Sequence, residues 1–414
     1  MKLARIAVVV LLAAYVALGI HAQVLHLAQK PLPQYLMEDY GYYAQAFARW
    51  RHGQSPYADH TIGTAFLYPP PSLLLVGAFE ALGPLASKYA GYATASLLAL
   101  VGALALVVRG ARTLDGEPRE RALREKAVRE TSASEERVYI AIALALGFAP
   151  VAWCLYLGQV NLLVMLCLAA GFYLADRHPY VAGSAIAVGA AIKLTPVALL
   201  VLMLRARYAK VFVGFALALA ALTGITALVF GSELFGDYVG TVRALKDSFP
   251  LGLNGSISVL NTSYLLAGAL GLPTEGWYGA AQLLWTAILG ASMLLAAWFG
   301  REQRHLLFAL VVIGMTVVPN VLWYHHLVFV IPALVTLWLS PQSTRWLRAC
   351  AVLAFAIVQL DGVLSPKLDK LTTTPVLVLL FGITLATMLA RAPRKLVLRR
   401  AVNLDGEVSS HVRH

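Results

Sequence analysis

Long apolar runs alternate with short polar connections along the whole chain. They fall roughly at residues 4–27, 68–83, 88–109, 138–157, 160–175, 180–204, 211–230, 277–299, 305–322, 325–339, 346–364 and 374–390. Several reach the length of about 20 residues that crosses a bilayer as a helix. In lipid each backbone donor must be satisfied within its own segment, and no barrel-like alternation over ten-residue stretches is present. The pattern therefore predicts an all-α polytopic membrane protein, and a composition of 59% hydrophobic and 13% charged residues excludes a soluble domain with one core.

One polar stretch interrupts this pattern early, from Met37 to Tyr57. Within it Tyr40, Tyr43, Phe47 and Trp50 recur at helical spacing. They predict an amphipathic helix on the outer leaflet, its aromatic face at the interface and Arg49 and Arg51 at headgroup level. Asp39 would then stand at the membrane boundary. Taken alone, it reads rather as a helix cap or a solvated loop carboxylate.

Charge changes the picture by fixing the topology. The net charge of +12 is distributed in short basic runs at 109–137, 177–178, 205–210, 301–304, 345–348 and 391–400, which is the signature of cytoplasmic loops rather than of a nucleic-acid surface. Two segments break simple alternation. If residues 68–83 crossed, the loop 110–137 and its flank, with eight basic residues from Arg109 to Arg137, would lie outside, so 68–83 is expected to be an outer juxtamembrane or re-entrant element. The segment 180–204 is basic at both ends, which one crossing cannot accommodate. Two short helices meeting near Lys193-Leu194-Thr195-Pro196 can, because proline removes a donor and disfavours helix just before it.

These corrections give about twelve transmembrane helices, ten full and two short, with both termini inside. The expected organisation is a single transmembrane domain over 1–391, with the first outer loop at 28–87, the cytoplasmic loop at 110–137 and a basic tail at 392–414. The amino-terminal run extends past any clear cleavage site and reads as an uncleaved first helix. Asp39, Gln159, Asn161, Lys193, Asn254, Asn320, His325 and His326 all fall on the outer side. No internal repeat supports an inverted-repeat transporter.

Lys193 is the one cation expected well inside an apolar segment. Such a charge ordinarily faces a cavity or a partner, and an ammonium there can hold a phosphate; the bland alternative is snorkelling. His325 and His326 point about 100° apart on a helix, which argues against joint metal chelation and for one imidazole donating to a phosphate or a sugar hydroxyl. Gly158-Gln159-Val160-Asn161 reads by default as a tight polar turn. Cys154, Cys167 and Cys350 lie in apolar segments and imply no disulfide framework. No metal site, P-loop or dinucleotide fingerprint is present, and no cofactor is expected.

In order, Asp39-Tyr40 with Tyr42-Tyr43 and Gly53 to Tyr57, Tyr68-Pro69-Pro70, Gly158 to Asn161, Ala182-Gly183 leading to Ile192 to Pro196, Asn254-Gly255-Ser256, and Trp323-Tyr324-His325-His326 resemble glycosyltransferase family 87. The resemblance covers most of the chain up to about residue 340. It implies a GT-C-like fold with outer juxtamembrane helices and an inverting transfer from a polyprenyl-phosphate sugar on the extracytoplasmic face of a bacterial plasma membrane. By the same resemblance Asp39 is the general base, and His325 or His326 contributes to catalysis. Lys193, with His326, is expected to bind the donor phosphate. Tyr43, Tyr68, Gln159, Asn161, Asn254 and Trp323 are expected to contact substrate. The turn Asn320-Val321-Leu322-Trp323 departs from the Ser-Pro-x-Ser-Trp run of many relatives. Mannose moved to a glycolipid or polysaccharide acceptor is the expected reaction; an arabinofuranosyl donor and a lipid-linked sugar flippase are the alternatives.

Overall fold

The computed structural model describes residues 10, 12–15, 17, 37–61, 64–113, 131–246, 256–272, 278–300, 302–319, 321–361 and 366–391. Most of the expected first helix, Asn254, Asn320 and the tail 392–414 lie outside the described residues. The described regular elements are all helical. They are α1 (Glu38–Arg51), α2 (Ser72–Glu80), α3 (Leu85–Thr113), α4 (Thr131–Leu146), α5 (Ala149–Leu157), α6 (Asn161–Tyr173) and α7 (Pro179–Ile192), followed by a 3-10 segment over Thr195–Met203. Then come α8 (Ala209–Phe230), α9 (Glu233–Lys246), α10 (Val259–Ala269), α11 (Tyr278–Phe299) and α12 (Arg304–Val317). A 3-10 turn over Tyr324–Phe329 leads to α13 (Val330–Leu339), α14 (Arg345–Asp361) and α15 (Pro366–Ala390).

Among the described residues, α3, α8, α11 and α15 contain apolar spans long enough to cross a membrane singly. A fifth is possible if α4 and α5, bent by 41° at their junction, count as one. The expected count of twelve goes beyond what these lengths establish. The segment expected at 138–157 as one rod is thus broken, where Gly147 and Pro150 flank the bend. The element at 72–80 is a nine-residue helix, about 13 Å at 1.5 Å per residue, and too short to span.

Which helices face lipid follows from where their leucines point. In α12 every residue from His305 to Val317 is buried, as expected of a helix that is apolar all round and sits at the centre. By contrast α8 exposes Leu217 and Leu228, and α11 exposes Leu283 and Leu284, so both are peripheral. Helices α7 and α8 cross closely because each supplies a glycine at the contact. A Cβ on Gly183 would lie 2.0 Å from the Val211 carbonyl oxygen, and one on Gly214 would lie 2.4 Å from that of Tyr180.

The break inside 180–204 is present. Lys193 is extended (φ −151°, ψ 125°) between α7 and the 3-10 segment. Leu199 and Ile186 both pack where a Cβ on Gly171 would stand, so the 3-10 segment returns alongside α7.

The bundle has two chemically distinct ends. At one, Arg304 pairs with Asp176, Trp338 Nε1 donates to the Arg137 carbonyl at 2.9 Å, Gln342 Nε2 to that of Glu302 at 3.0 Å, and Arg348 to that of Ser340 at 3.0 Å. The basic connections thus meet one another. At the other end, Ser55 donates to Asp237 at 2.5 Å, Thr241 to the Tyr57 carbonyl at 3.1 Å, and the Ile257 N–H to the Leu322 carbonyl at 2.7 Å. The loop expected at 231–276 therefore carries helices α9 and α10, and α9 covers the polar stretch after α1.

One expectation about α1 is corrected. Tyr40 and Tyr43 do not form an interfacial belt but are buried, because rings from α2 and α3 close over Tyr40 and those of Phe66 and Tyr68, just before α2, meet Tyr43. Tyr40 packs edge-on against Phe79 and Tyr89 and lies 5.4 Å from the Tyr92 centroid, while its hydroxyl donates to Glu80 at 2.9 Å. Arg49 likewise turns to Asp59 at 3.3 Å rather than to headgroups.

Candidate active site

The site is built on the turn between α5 and α6. Gly158 ends α5 in the left-handed conformation (φ +72°), where a Cβ would lie 2.7 Å from Tyr40 Cβ and 3.2 Å from Met37 Sδ. Glycine is needed there on both counts. The N–H of Met37 donates to the Tyr156 carbonyl at 2.7 Å, which fastens the start of α1 to the same turn. Asp39, in the first turn of α1, is thereby carried to Gln159.

From Asp39 a chain of donors runs in one direction. Tyr43 OH lies 2.7 Å from Tyr68 OH, which donates to Gln159 Oε1 at 3.0 Å, and Gln159 Nε2 donates to Asp39 Oδ2. An ionised carboxylate only accepts, so the amide nitrogen must face it and the amide oxygen is left for Tyr68. Tyr68 thus gives its proton to Gln159 and receives that of Tyr43. Each donor polarises the next toward the carboxylate.

Two residues further on, the turn builds a second cluster. Asn161 is fully buried; its Oδ1 accepts from Lys193 Nζ at 3.0 Å and its Nδ2 donates to the His325 carbonyl at 3.2 Å. Lys193 Nζ also lies 2.8 Å from His326 Nε2, and 5.7 and 5.6 Å from the ring centroids of Tyr68 and Phe329. A contact between two nitrogens needs one lone pair, so an ammonium at Lys193 requires a neutral His326. Lys193 is extended at the end of α7, and its side chain turns into this polar cluster.

The two histidines separate in role. The His326 ring meets Lys193 through Nε2, and its Nδ1 lies 3.4 Å from the Trp323 backbone nitrogen. His325 stands edge-on to it at 4.6 Å, and its buried Nε2 has no hydrogen-bond partner among the described residues. Its carbonyl is what joins the network. Trp323 enters through its backbone.

Asp39, Tyr43, Tyr68, Gln159, Asn161, Lys193 and His326 are therefore brought together, and Asn254 lies outside the described residues. Ser256, the last residue of its motif, accepts from the Leu322 N–H at 3.4 Å, next to Trp323. Sequence reasoning missed Cys154, whose buried thiol donates to the His325 carbonyl at 3.1 Å, and Phe329, whose ring faces Lys193. Cys154 stands one turn before Gly158 on α5, a spacing that could have placed it at the same helix end.

Gln159 and Asn161, two residues apart on one turn and so with backbones no more than about 7 Å apart, hold a carboxylate and an ammonium that can act on one small group between them. The carboxylate can accept a proton while the ammonium stabilises developing anionic charge.

The profile of Glycosyltransferase family 87 matches residues 66–323, which takes in Tyr68, Gln159, Asn161 and Lys193, begins well after Asp39 and ends just before the histidine pair. A Polyprenol-phosphate-mannose-dependent alpha-(1-2)-phosphatidylinositol mannoside mannosyltransferase of Mycobacterium tuberculosis (strain ATCC 25618 / H37Rv) is 26% identical over 363 residues, spanning 81% of this chain and 77% of that protein. No solved structure matches the chain.

Proposed function

The chain belongs to glycosyltransferase family 87 and is a membrane glycosyltransferase; from that premise we propose that it moves a mannosyl group from a polyprenyl phosphate to a hydroxyl of a glycolipid or polysaccharide acceptor, with inversion. The observation that carries this reading is the shared turn, on which Gln159 holds Asp39 and Asn161 holds Lys193. The mycobacterial relative, named for a polyprenol-phosphate-mannose donor, supports the choice of donor.

In the proposed reaction the acceptor oxygen attacks the anomeric carbon from the face opposite the phosphate. Its proton passes to the Asp39 carboxylate as the new C–O bond forms. The bond from the anomeric carbon to the phosphate oxygen breaks, and its electron pair leaves with the polyprenyl phosphate. Lys193, steadied by Asn161 and His326, stabilises that departing charge. Tyr43, Tyr68 and Gln159 hold the carboxylate in place, and the phosphate leaves without needing a metal.

The fold is read as GT-C-like, and the active face as extracytoplasmic. Basic connections collect at the end of the bundle away from Asp39, and cytoplasmic loops are the ones that carry excess lysine and arginine. The location is then the plasma membrane, with the lipid tail of the donor in the bilayer.

The test is sugar transfer by the purified full-length protein from a synthetic polyprenyl phosphate mannose to a lipid-linked mannoside. The Asp39→Asn variant should lose at least about a hundredfold in kcat while keeping its thermal transition. Unchanged transfer would remove Asp39 from the mechanism. Activity only with an arabinofuranosyl donor would change the sugar, and sugar-lipid translocation without transfer would overturn the enzyme reading.

A further inference from the structure

Toward the opposite ends of the elements that carry or follow Asn161 and Lys193, a second polar site lies between helices. Phe172 is near the end of α6, about 16 Å from Asn161 along the axis at about 1.5 Å per residue. Leu202 closes the 3-10 segment that begins after Lys193, and Arg304 opens α12. With Arg205, Tyr208 and Leu307 they line a one-sided cleft of about 240 Å³ including its open mouth.

The chemistry of the cleft is amphipathic. Phe172, Leu202 and Leu307 make the apolar wall, and Arg205 and Arg304 supply guanidinium groups. Arg207 stacks 4.6 Å from the Tyr208 centroid and donates to its hydroxyl at 2.6 Å. Arg304 lies 5.2 Å from the Phe172 centroid and 5.4 Å from that of Tyr208. Asp176 accepts from Tyr208 at 3.1 Å and pairs with Arg304. Arg205, Arg207 and Arg304 thus gather around Tyr208 with Asp176 as the carboxylate among them, leaving net positive charge.

An arginine serving only to mark topology needs no such arrangement. Here the guanidinium of Arg304 is pre-oriented by two ring faces and a carboxylate, so little freedom remains to be lost when an anion binds in its fork. The site also lies at the end of an apolar span, since the span that continues into α8 starts at Ala206 and Leu204 is 58% exposed beside Arg205.

We propose that this cleft binds the phosphodiester headgroup of an anionic glycerophospholipid, with the acyl chains lying along the apolar flank of Leu202 and Leu204. The phosphate meets Arg205 and Arg304. Basic pockets between membrane helices are suited to lipid headgroups.

The test uses the full-length protein in native mass spectrometry, titrated with dioleoyl phosphatidylglycerol, dioleoyl phosphatidylcholine and inorganic phosphate. Phosphatidylglycerol should bind at least about tenfold more tightly than phosphatidylcholine, and Arg205→Gln with Arg304→Gln should weaken it about thirtyfold, whereas Arg345→Gln should not. Equal binding of the two lipids, or a preference that survives the double substitution, would overturn the proposal. Inorganic phosphate binding as tightly as the lipid would make this a site for a soluble anion and overturn it equally. If the double variant fails to fold, phenylglyoxal footprinting of the unaltered protein decides. Phosphatidylglycerol nanodiscs should protect Arg205 and Arg304 relative to phosphatidylcholine nanodiscs but leave Arg345 equally labelled; equal labelling of Arg205 and Arg304 would refute it.

Discussion

Lys193 Nζ lies 5.7 Å from the centroid of the Tyr68 ring, and the hydroxyl of the same tyrosine donates to Gln159 at 3.0 Å. One side chain therefore touches both halves of the proposed site, its oxygen serving the carboxylate and its ring the ammonium. The two contacts can be removed separately. Tyr68→Phe keeps the ring and loses the hydroxyl, and should lower kcat about fivefold with the donor KM little changed, since one hydrogen bond supporting the base is worth about 1 kcal/mol. Tyr68→Leu should lose the same kcat and also raise the donor KM about threefold as the cation–π contact disappears. Steady-state kinetics on both variants checks the split; identical KM values would detach the ring from donor binding.

Gly158 is where α1 and the Gln159 turn press together. Gly158→Ala places a methyl group against Tyr40 and Met37 on a backbone with φ +72°, so strain and overpacking act together. The expected loss is about 2 kcal/mol or more. Transfer should fall more than stability alone explains, because α1 carries Asp39 away from Gln159. A thermal melt and a rate measurement on the same folded fraction test this.

Asp59 offers a pH-dependent readout away from the membrane segments. The Thr61 N–H at 2.8 Å, with the Thr64 hydroxyl at 2.9 Å and Arg49 at 3.3 Å, holds its carboxyl below the usual range despite some desolvation. A depressed folded value means the ionised form favours the ordered loop. The stabilisation is complete above the unfolded value of about 4 and is lost as pH falls through the lower folded value. Hydrogen exchange at Thr61, corrected for intrinsic rate, should lose protection in that acidic window. Asp59→Asn should show weaker protection at neutral pH and no further change on acidification.

Much of this arrangement was legible in the chain because lipid makes charge and proline costly. Lys193 stood out as a lone cation within an apolar segment, and Pro196 marked the break that the extended backbone at Lys193 realises. Two basic ends on one segment forced the chain to return, as Leu199 beside Ile186 now shows. The aromatic face of α1 was legible as a helix but not as buried, because a stripe of tyrosines reads alike whether it meets headgroups or other rings. What covers it, Phe79, Tyr89 and Tyr92, lies some 30 to 50 residues away, beyond any local pattern. Cys154 and Phe329 were unreadable for a related reason: each is an ordinary apolar residue until the fold sets it against a polar group. Gly147 and Pro150 carried a signal for the bend between α4 and α5, yet the unbroken hydropathy of 138–157 concealed it.

The histidines give the sharpest asymmetry. Burial leaves His325 Nε2 without a partner among the described residues, so His325→Phe removes an unsatisfied polar atom and keeps a ring of similar shape. Its carbonyl, which is what Asn161 and Cys154 engage, is retained in any substitution. Stability should therefore change by less than about 1 kcal/mol, or rise. His326→Phe instead strips Lys193 of a partner at 2.8 Å and removes a group beside the expected donor phosphate. It should cost about a hundredfold in kcat/KM, as the loss of one donor to developing charge does elsewhere. His326→Gln, which can still present an amide to Lys193, should recover part of that loss. If His325→Phe proved the more damaging change, the phosphate role would pass from His326 to His325, and the contact of His326 with Lys193 would be a scaffold for the ring behind it.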